Sequence, residues 1–224
     1  MLNLMKNDSA LRNRYLDQYK DIYGENIYLP SIELFGNKIS TIKGGSELTA
    51  FYHLIKDCEE CDHINPNMSF GVGNENANII FIAESKPQKG DIQNEPLVGE
   101  AGELFDKILS AIKLTREDVY ISNVLKYCTF KNPDSNQSNI KICESHFQQH
   151  LQIINPTLVV ALGEDVGNKI LQLNESIETL NSTIHELKNF NLMVTYPPKA
   201  ILKNPNLKQP AWEDFKKIRD YYLN

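Results

Sequence analysis

The sequence predicts an α/β fold, a three-layer αβα sandwich around a mainly parallel central sheet, and three observations carry it. From Asn78 onward, short apolar runs (Ile79-Ile80-Phe81-Ile82, Val119-Tyr120-Ile121, Leu158 to Leu162, Leu192 to Tyr196) alternate with segments of helical period. The runs are continuously apolar, as strands covered on both faces must be. Strands separated by helices in this order build parallel sheets, because a parallel connection needs a crossover.

The elements follow in order. Residues 1–45 read as an N-terminal extension, with a helical pattern from Ser9 to Tyr23 (Leu11, Tyr15, Tyr19, Ile22) and an irregular segment through Pro30 and Gly36. Gly44-Gly45 punctuates the chain and opens a domain over 46–224. Ser46 can cap a helix with Leu48, Phe51, Leu54 and Ile55 on one face. The strand at Ile79–Ile82 runs into a long polar loop ending near Glu95. Glu100 to Ile112 is a helix on Leu104, Ile108, Leu109 and Ile112, and the strand at Val119 continues to Val124. Ser138 to Ile154 is helical, Leu158 to Leu162 a buried strand, and Glu164 to Leu173 helical again. Leu192 to Tyr196 is the last strand and Trp212 to Tyr222 the last helix. In such sheets ligands gather on loops beyond the carboxyl ends of the strands. That draws attention to residues 83–99, 123–137 and 196–205.

Composition narrows the class. A chain of 224 residues suits one large domain or a domain with an extension. With 41% hydrophobic and 23% charged residues it is far from a disordered composition. No apolar run approaches the ~20 residues of a membrane helix, and Met1 to Arg14 lacks the apolar core of a signal peptide. The expectation is a cytoplasmic protein without a membrane partner, with a monomer favoured. A net charge of −6 means that a nucleic-acid partner would be met through a local basic patch.

Cysteine usage is the sharpest signal. Cys58 and Cys61 form a C-x2-C pair at the end of a helix, Cys128 follows a strand, and Cys143 lies inside a helix after fourteen intervening residues. Disulfides are rare in the cytosol. Four thiolates suit zinc or an iron–sulfur cluster, and the bland alternative is a set of buried apolar thiols. His63 and His146 lie near the cysteines and read as surface histidines rather than ligands.

The chain then carries a run of recognisable wording. After the C-x2-C pair come Gly71-Val72-Gly73, the strand Ile79–Ile82, Glu84, Pro96-Leu97-Val98-Gly99-Glu100-Ala101-Gly102 and Leu104-Phe105-Asp106-Lys107. Leu114-Thr115-Arg116-Glu117-Asp118-Val119-Tyr120-Ile121-Ser122-Asn123-Val124-Leu125-Lys126 leads into Cys128, and Val160-Ala161-Leu162-Gly163 follows. Over roughly residues 48–218 this order resembles the family 4 uracil-DNA glycosylases, bacterial and archaeal enzymes with a four-cysteine [4Fe-4S] cluster. The resemblance implies that fold, that cofactor held by Cys58, Cys61, Cys128 and Cys143, and DNA as partner. Gly71 and Gly73 precede their strand, so they are no dinucleotide fingerprint.

A member of that family is a monofunctional DNA glycosylase. It flips a nucleotide out of the duplex, reads it in a pocket and hydrolyses the N-glycosidic bond, leaving an abasic site. Positive charge grows on the sugar and negative charge on the departing base. The catalyst therefore needs a carboxylate near the sugar and donors aimed at the base.

The departures from the family pattern are specific. Its first motif, roughly Gly-Glu-Ala-Pro-Gly, is here Ala83-Glu84-Ser85-Lys86-Pro87. The acidic pair that follows is reduced to Gly90-Asp91. The aromatic that stacks on uracil, in a Pro-Phe-Val-Gly context, is Leu97. The closing Tyr-His-Pro with two leucines is Tyr196-Pro197-Pro198-Lys199-Ala200-Ile201-Leu202, so Pro197 replaces the motif histidine. Asn123 stands where the family reads the base edge. Loss of an aromatic platform costs about 1–3 kcal/mol of stacking, and loss of an oriented donor on the order of 10²–10³ in rate.

The resemblance therefore assigns catalysis to Glu84, Asp91 and Asn123, base-pocket lining to Ser85, Leu97, Asn123 and Pro197, and DNA contact to Lys86, Lys89, Lys199, Ile201 and Lys203. The bland alternatives are a strand-end carboxylate for Glu84, a turn acid for Asp91, a backbone-satisfying amide for Asn123, solvated charges for the lysines and core packing for Ile201 and Leu202. A pocket without its aromatic wall points to a base other than plain uracil, such as the bulky modified bases of viral DNA in a defence role. Two further readings stand beside it: a catalytically silent module that binds DNA or protein, and ordinary uracil excision.

Overall fold

The computed structural model describes residues 47–55, 71–83, 96–123 and 137–223, except for some side chains within these elements. The predicted extension, Ser46 as a cap and the long loop to Glu95 lie outside the described residues.

Helix α1 (Glu47–Ile55) precedes strands β1 (Gly71–Gly73) and β2 (Ile79–Ala83), helix α2 (Gly99–Ala111) and strand β3 (Tyr120–Asn123). Helix α3 (Gln137–Ile154), strand β4 (Leu158–Leu162), helix α4 (Glu164–Leu171), the single-turn α5 (Ile177–Leu180) and strand β5 (Ile184–Glu186) follow. Strand β6 (Asn191–Thr195), the short α6 (Pro198–Lys203), a 3₁₀ turn (Pro205–Leu207) and α7 (Lys208–Leu223) complete the order. The described strands form one sheet in the order β1-β3-β2-β4-β6-β5. β3, β2, β4 and β6 are parallel, and the edges β1 and β5 are antiparallel.

Alternation along each buried strand sends neighbouring side chains to opposite faces. Ile80 and Ile82 of β2, Val159 and Ala161 of β4, and Leu192 and Val194 of β6 face a core shared with Leu48 and Phe51 of α1, Phe147 and Leu151 of α3 and Val166 of α4. Ile79 and Phe81, Leu158 and Val160, and Met193 face the other core, with Phe105 and Leu109 of α2 and Phe215 and Ile218 of α7. This is the three-layer sandwich the sequence predicts. Phe81 ties the second layer together, 5.0 Å edge-on from Phe105 and 6.2 Å stacked on Phe215, centroid to centroid.

The short edge strands were not legible as strands. Gly71-Val72-Gly73 pairs with β3, and Ile184 to Glu186 pairs with β6; three residues are too few to display a period. α7 begins at Lys208 rather than Trp212, because Pro210 falls in the first turn, where its missing N–H has no helical partner to lose. α4 ends at Leu171, where Gln172 turns left-handed at φ 56°.

Candidate active site

The register of the parallel strands builds the site. Ala83 of β2 pairs with Asn123 of β3 on one side and Leu162 of β4 on the other, and Leu162 pairs with Thr195 of β6. The carboxyl ends of the parallel strands are thus level. Gly163, after β4, and Tyr196-Pro197, after β6, leave the sheet along the edge that carries Ala83 and Asn123. The chain turns to β3 on one side of β2 and to β4 on the other, so this edge includes the topological switch point where α/β sheets bind ligands.

Glu84, Ser85, Lys86, Lys89 and Asp91 lie outside the described residues, as do Cys58, Cys61, Cys128 and His63. Asn123 is described by its backbone alone, as the last residue of β3. Cys143 is placed on α3 in the same way.

The turn before α2 is described in full. Leu97 is partly buried against the α2–α7 core and has a φ of 56°, a conformation a leucine rarely adopts. Its carbonyl oxygen accepts from Arg116 Nη2 at 2.7 Å, while Arg116 Nε donates to Asp106 Oδ1 of α2 at 2.6 Å. A Cβ at Gly102 would overlap that carbonyl oxygen, so only glycine admits this close approach. Val98 beside it is 41% exposed.

The second wall is the turn from β6 into α6. Gly163 opens α4 at φ 115°, and its N–H donates to the Thr195 carbonyl at 2.9 Å. A Cβ there would come within 3.7 Å of the Pro197 ring, so the β4 and β6 turns lie side by side. Pro197 is partly buried at the start of α6, and Lys199 and Lys203 are exposed along it. Ile201, expected at the DNA face, lies on the packed side of this turn. Pro198 and Ile201, three apart on one helical face, are turned inward, and Ile201 is 2% exposed against Tyr196 and Ala211. Leu202, one residue on, is 44% exposed and presents the apolar side chain of this turn to solvent.

Beneath the turn lies a buried carboxylate. Asp214 of α7 is fully buried and accepts hydrogen bonds from Thr195 Oγ1 at 2.7 Å and Ser182 Oγ at 2.6 Å. Lys217 Nζ donates to the Ser182 carbonyl at 2.7 Å. Burial holds the Asp214 carboxyl above the usual carboxylate range, against the lowering effect of the two hydroxyls and Lys217. Tyr196 is buried too, and burial, with the charges of Glu178 and Asp214, raises its hydroxyl pKa. One carboxylate therefore joins α7, the end of β6 and the turn before β5.

Sequence reasoning missed Asp214, although it left a signal. Ala211, Asp214, Phe215 and Ile218 form one helical stripe, and a charge on an apolar stripe marks a buried polar contact. His146, expected at the surface, is instead 8% exposed; its ring meets Phe51 edge-on with centroids 6.3 Å apart. Burial lowers its pKa.

Among the described residues no group of three or more His, Cys, Asp or Glu could hold a metal ion. α1, which runs toward the C-x2-C pair, packs on α3, which carries Cys143. Phe51, seven residues before Cys58, lies against both His146 and His150 of α3. Cysteine thiolates are the soft ligands that an iron–sulfur cluster takes, and of the four cysteines Cys143, on α3, lies among the described residues.

The model of the uracil DNA glycosylase superfamily matches residues 70–216. The chain is similar to the type-4 uracil-DNA glycosylase of Archaeoglobus fulgidus, 34% identical over 174 residues that cover 73% of this chain and 87% of that protein. The enzyme of the same name from Sulfurisphaera tokodaii is 32% identical over 73% of this chain and 79% of its own length. That of Saccharolobus solfataricus is 28% identical over 74% and 82%. No described helix is long and apolar enough to cross a membrane. With the family model spanning the described sheet from β1 into α7, and relatives aligned along most of their length, this chain belongs to the uracil DNA glycosylase superfamily.

Proposed function

We propose that the chain is a DNA glycosylase that hydrolyses the N-glycosidic bond of a flipped-out base and prefers a base other than plain uracil. The observation that carries the reading is the level edge of the sheet. It brings Asn123, the residue before Glu84, and the Tyr196-Pro197 turn to one rim. Glu84 and Asp91 supply the carboxylate that steadies the sugar cation or activates water, and Asn123 reads the edge of the base. Ser85, Leu97 and Pro197 line the pocket. Lys86, Lys89, Lys199 and Lys203 meet phosphates, and the exposed Leu202 fills the space left by the flipped nucleotide.

The preference follows from shape. Leu97 stands at the aromatic position with a smaller, non-planar side chain, and Pro197 donates no hydrogen bond to the departing base. Such a pocket binds a flat uracil weakly and has room for a substituent, which suits modified viral bases and a role in defence. Cys58, Cys61, Cys128 and Cys143 hold a structural iron–sulfur cluster, and the packing of α1 on α3 supports their convergence. The test is incubation of purified protein with duplexes bearing uracil or modified pyrimidines and purines, scored for alkali-labile abasic sites and released base. Release from a modified base in preference to uracil is expected. No release from any duplex would leave the silent DNA-binding reading in its place.

A further inference from the structure

Arg116 lies between α2 and β3, and its guanidinium makes two contacts at once. It joins Asp106 on α2 at 2.6 Å to the Leu97 carbonyl in the turn before α2 at 2.7 Å. Leu97 at φ 56° and Gly99 at φ 65° give this turn a backbone that L-residues avoid, because Cβ crowds the following carbonyl. A strained conformer persists only where its surroundings over-determine it, and such residues cluster at functional sites. Here the Leu97 carbonyl is held by Arg116 in the space that the missing Cβ of Gly102 leaves open. The Gly102 N–H also donates to the Val98 carbonyl at 3.4 Å. The Arg116 side chain remains 30% exposed, so the clamp sits at the surface of the turn rather than in the core.

We propose that Arg116 is a positioning residue of this site, acting through Leu97 to fix the wall against which the flipped base lies and hence the size of base admitted. The proposal rests on the glycosylase reading given above. Asp106 orients the guanidinium. A lysine at 116 offers a point charge in place of the planar fork and does not hold both partners together.

The test compares full-length wild-type protein with Arg116→Lys and Asp106→Asn. The second variant alters a side chain that is 52% exposed, and it keeps the test open should the first not fold. One readout is the backbone carbon chemical shifts of Leu97, which report the sign of its φ. The other is the single-turnover ratio of base release between a duplex carrying uracil and one carrying a 5-substituted, bulkier pyrimidine. Leu97 should leave the left-handed range, and the ratio should change about tenfold or more, the scale of a one-methylene misfit in an apolar pocket. An equal loss on both bases, or unmoved Leu97 shifts, would overturn the proposal. If the wild type releases neither base, the glycosylase reading fails. The Leu97 shifts then decide the clamp alone: moved shifts support it and unmoved shifts sink it.

Discussion

Asp214 offers the most direct test of how the site is supported. Its two acceptor bonds satisfy the hydroxyl of Thr195, which is fully buried, and that of Ser182, which is partly exposed. Asp214→Ala strands both. An unsatisfied buried hydroxyl costs about 1–3 kcal/mol and a part-exposed one about 0.5–1.5 kcal/mol. Releasing a desolvated carboxylate offsets part of this, so a net loss of roughly 2–3 kcal/mol follows. Asp214→Asn keeps the shape, accepting from one hydroxyl and donating to the other, and should stay within about 1 kcal/mol. Urea unfolding of the three proteins followed by circular dichroism measures both values. The pH dependence has a definite sign. The folded carboxyl pKa lies above its unfolded value, so the folded state binds more protons between the two, and stability from this group falls as pH rises through that window. The advantage of wild type over Asp214→Asn should therefore shrink from about pH 4 upward and level off above the folded pKa. An advantage that grows with pH, or an alanine variant as stable as wild type, would refute the reasoning.

Three further outcomes are expected. Protein purified without oxygen should be brown and carry about four iron per chain, and Cys128→Ala should lose iron and solubility together; colourless protein with one zinc would replace the cluster with a zinc site. Lys199→Glu should weaken binding to all duplexes alike and lower the salt slope by about one, measured by fluorescence anisotropy across salt concentrations; an unchanged slope removes α6 from the DNA face. Glu84→Gln and Asp91→Asn should abolish base release while leaving DNA affinity nearly intact, since an amide keeps the shape and loses the charge; variants that still release base at the wild-type rate would clear both carboxylates of catalysis.

The sequence by itself determined the sandwich. β2, β4 and β6 are legible because burial on both faces demands continuous apolar runs, and the stripes of α2 and α7 because each helix buries one face. It also determined the family, through motif order. Only the tertiary structure decided which residues meet. Arg116 reaches Leu97 across nineteen positions, and Asp214 reaches Ser182 across thirty-two. Neither contact leaves a local period, because a hydrogen bond between distant segments is set by packing rather than by propensity. Ile201 and Leu202 are neighbours of like hydrophobicity, yet one is core and the other exposed, which depends on where α6 lands after β6. The level ends of Asn123, Ala83, Leu162 and Thr195 come from sheet register, and register is a property of paired strands that no single strand encodes.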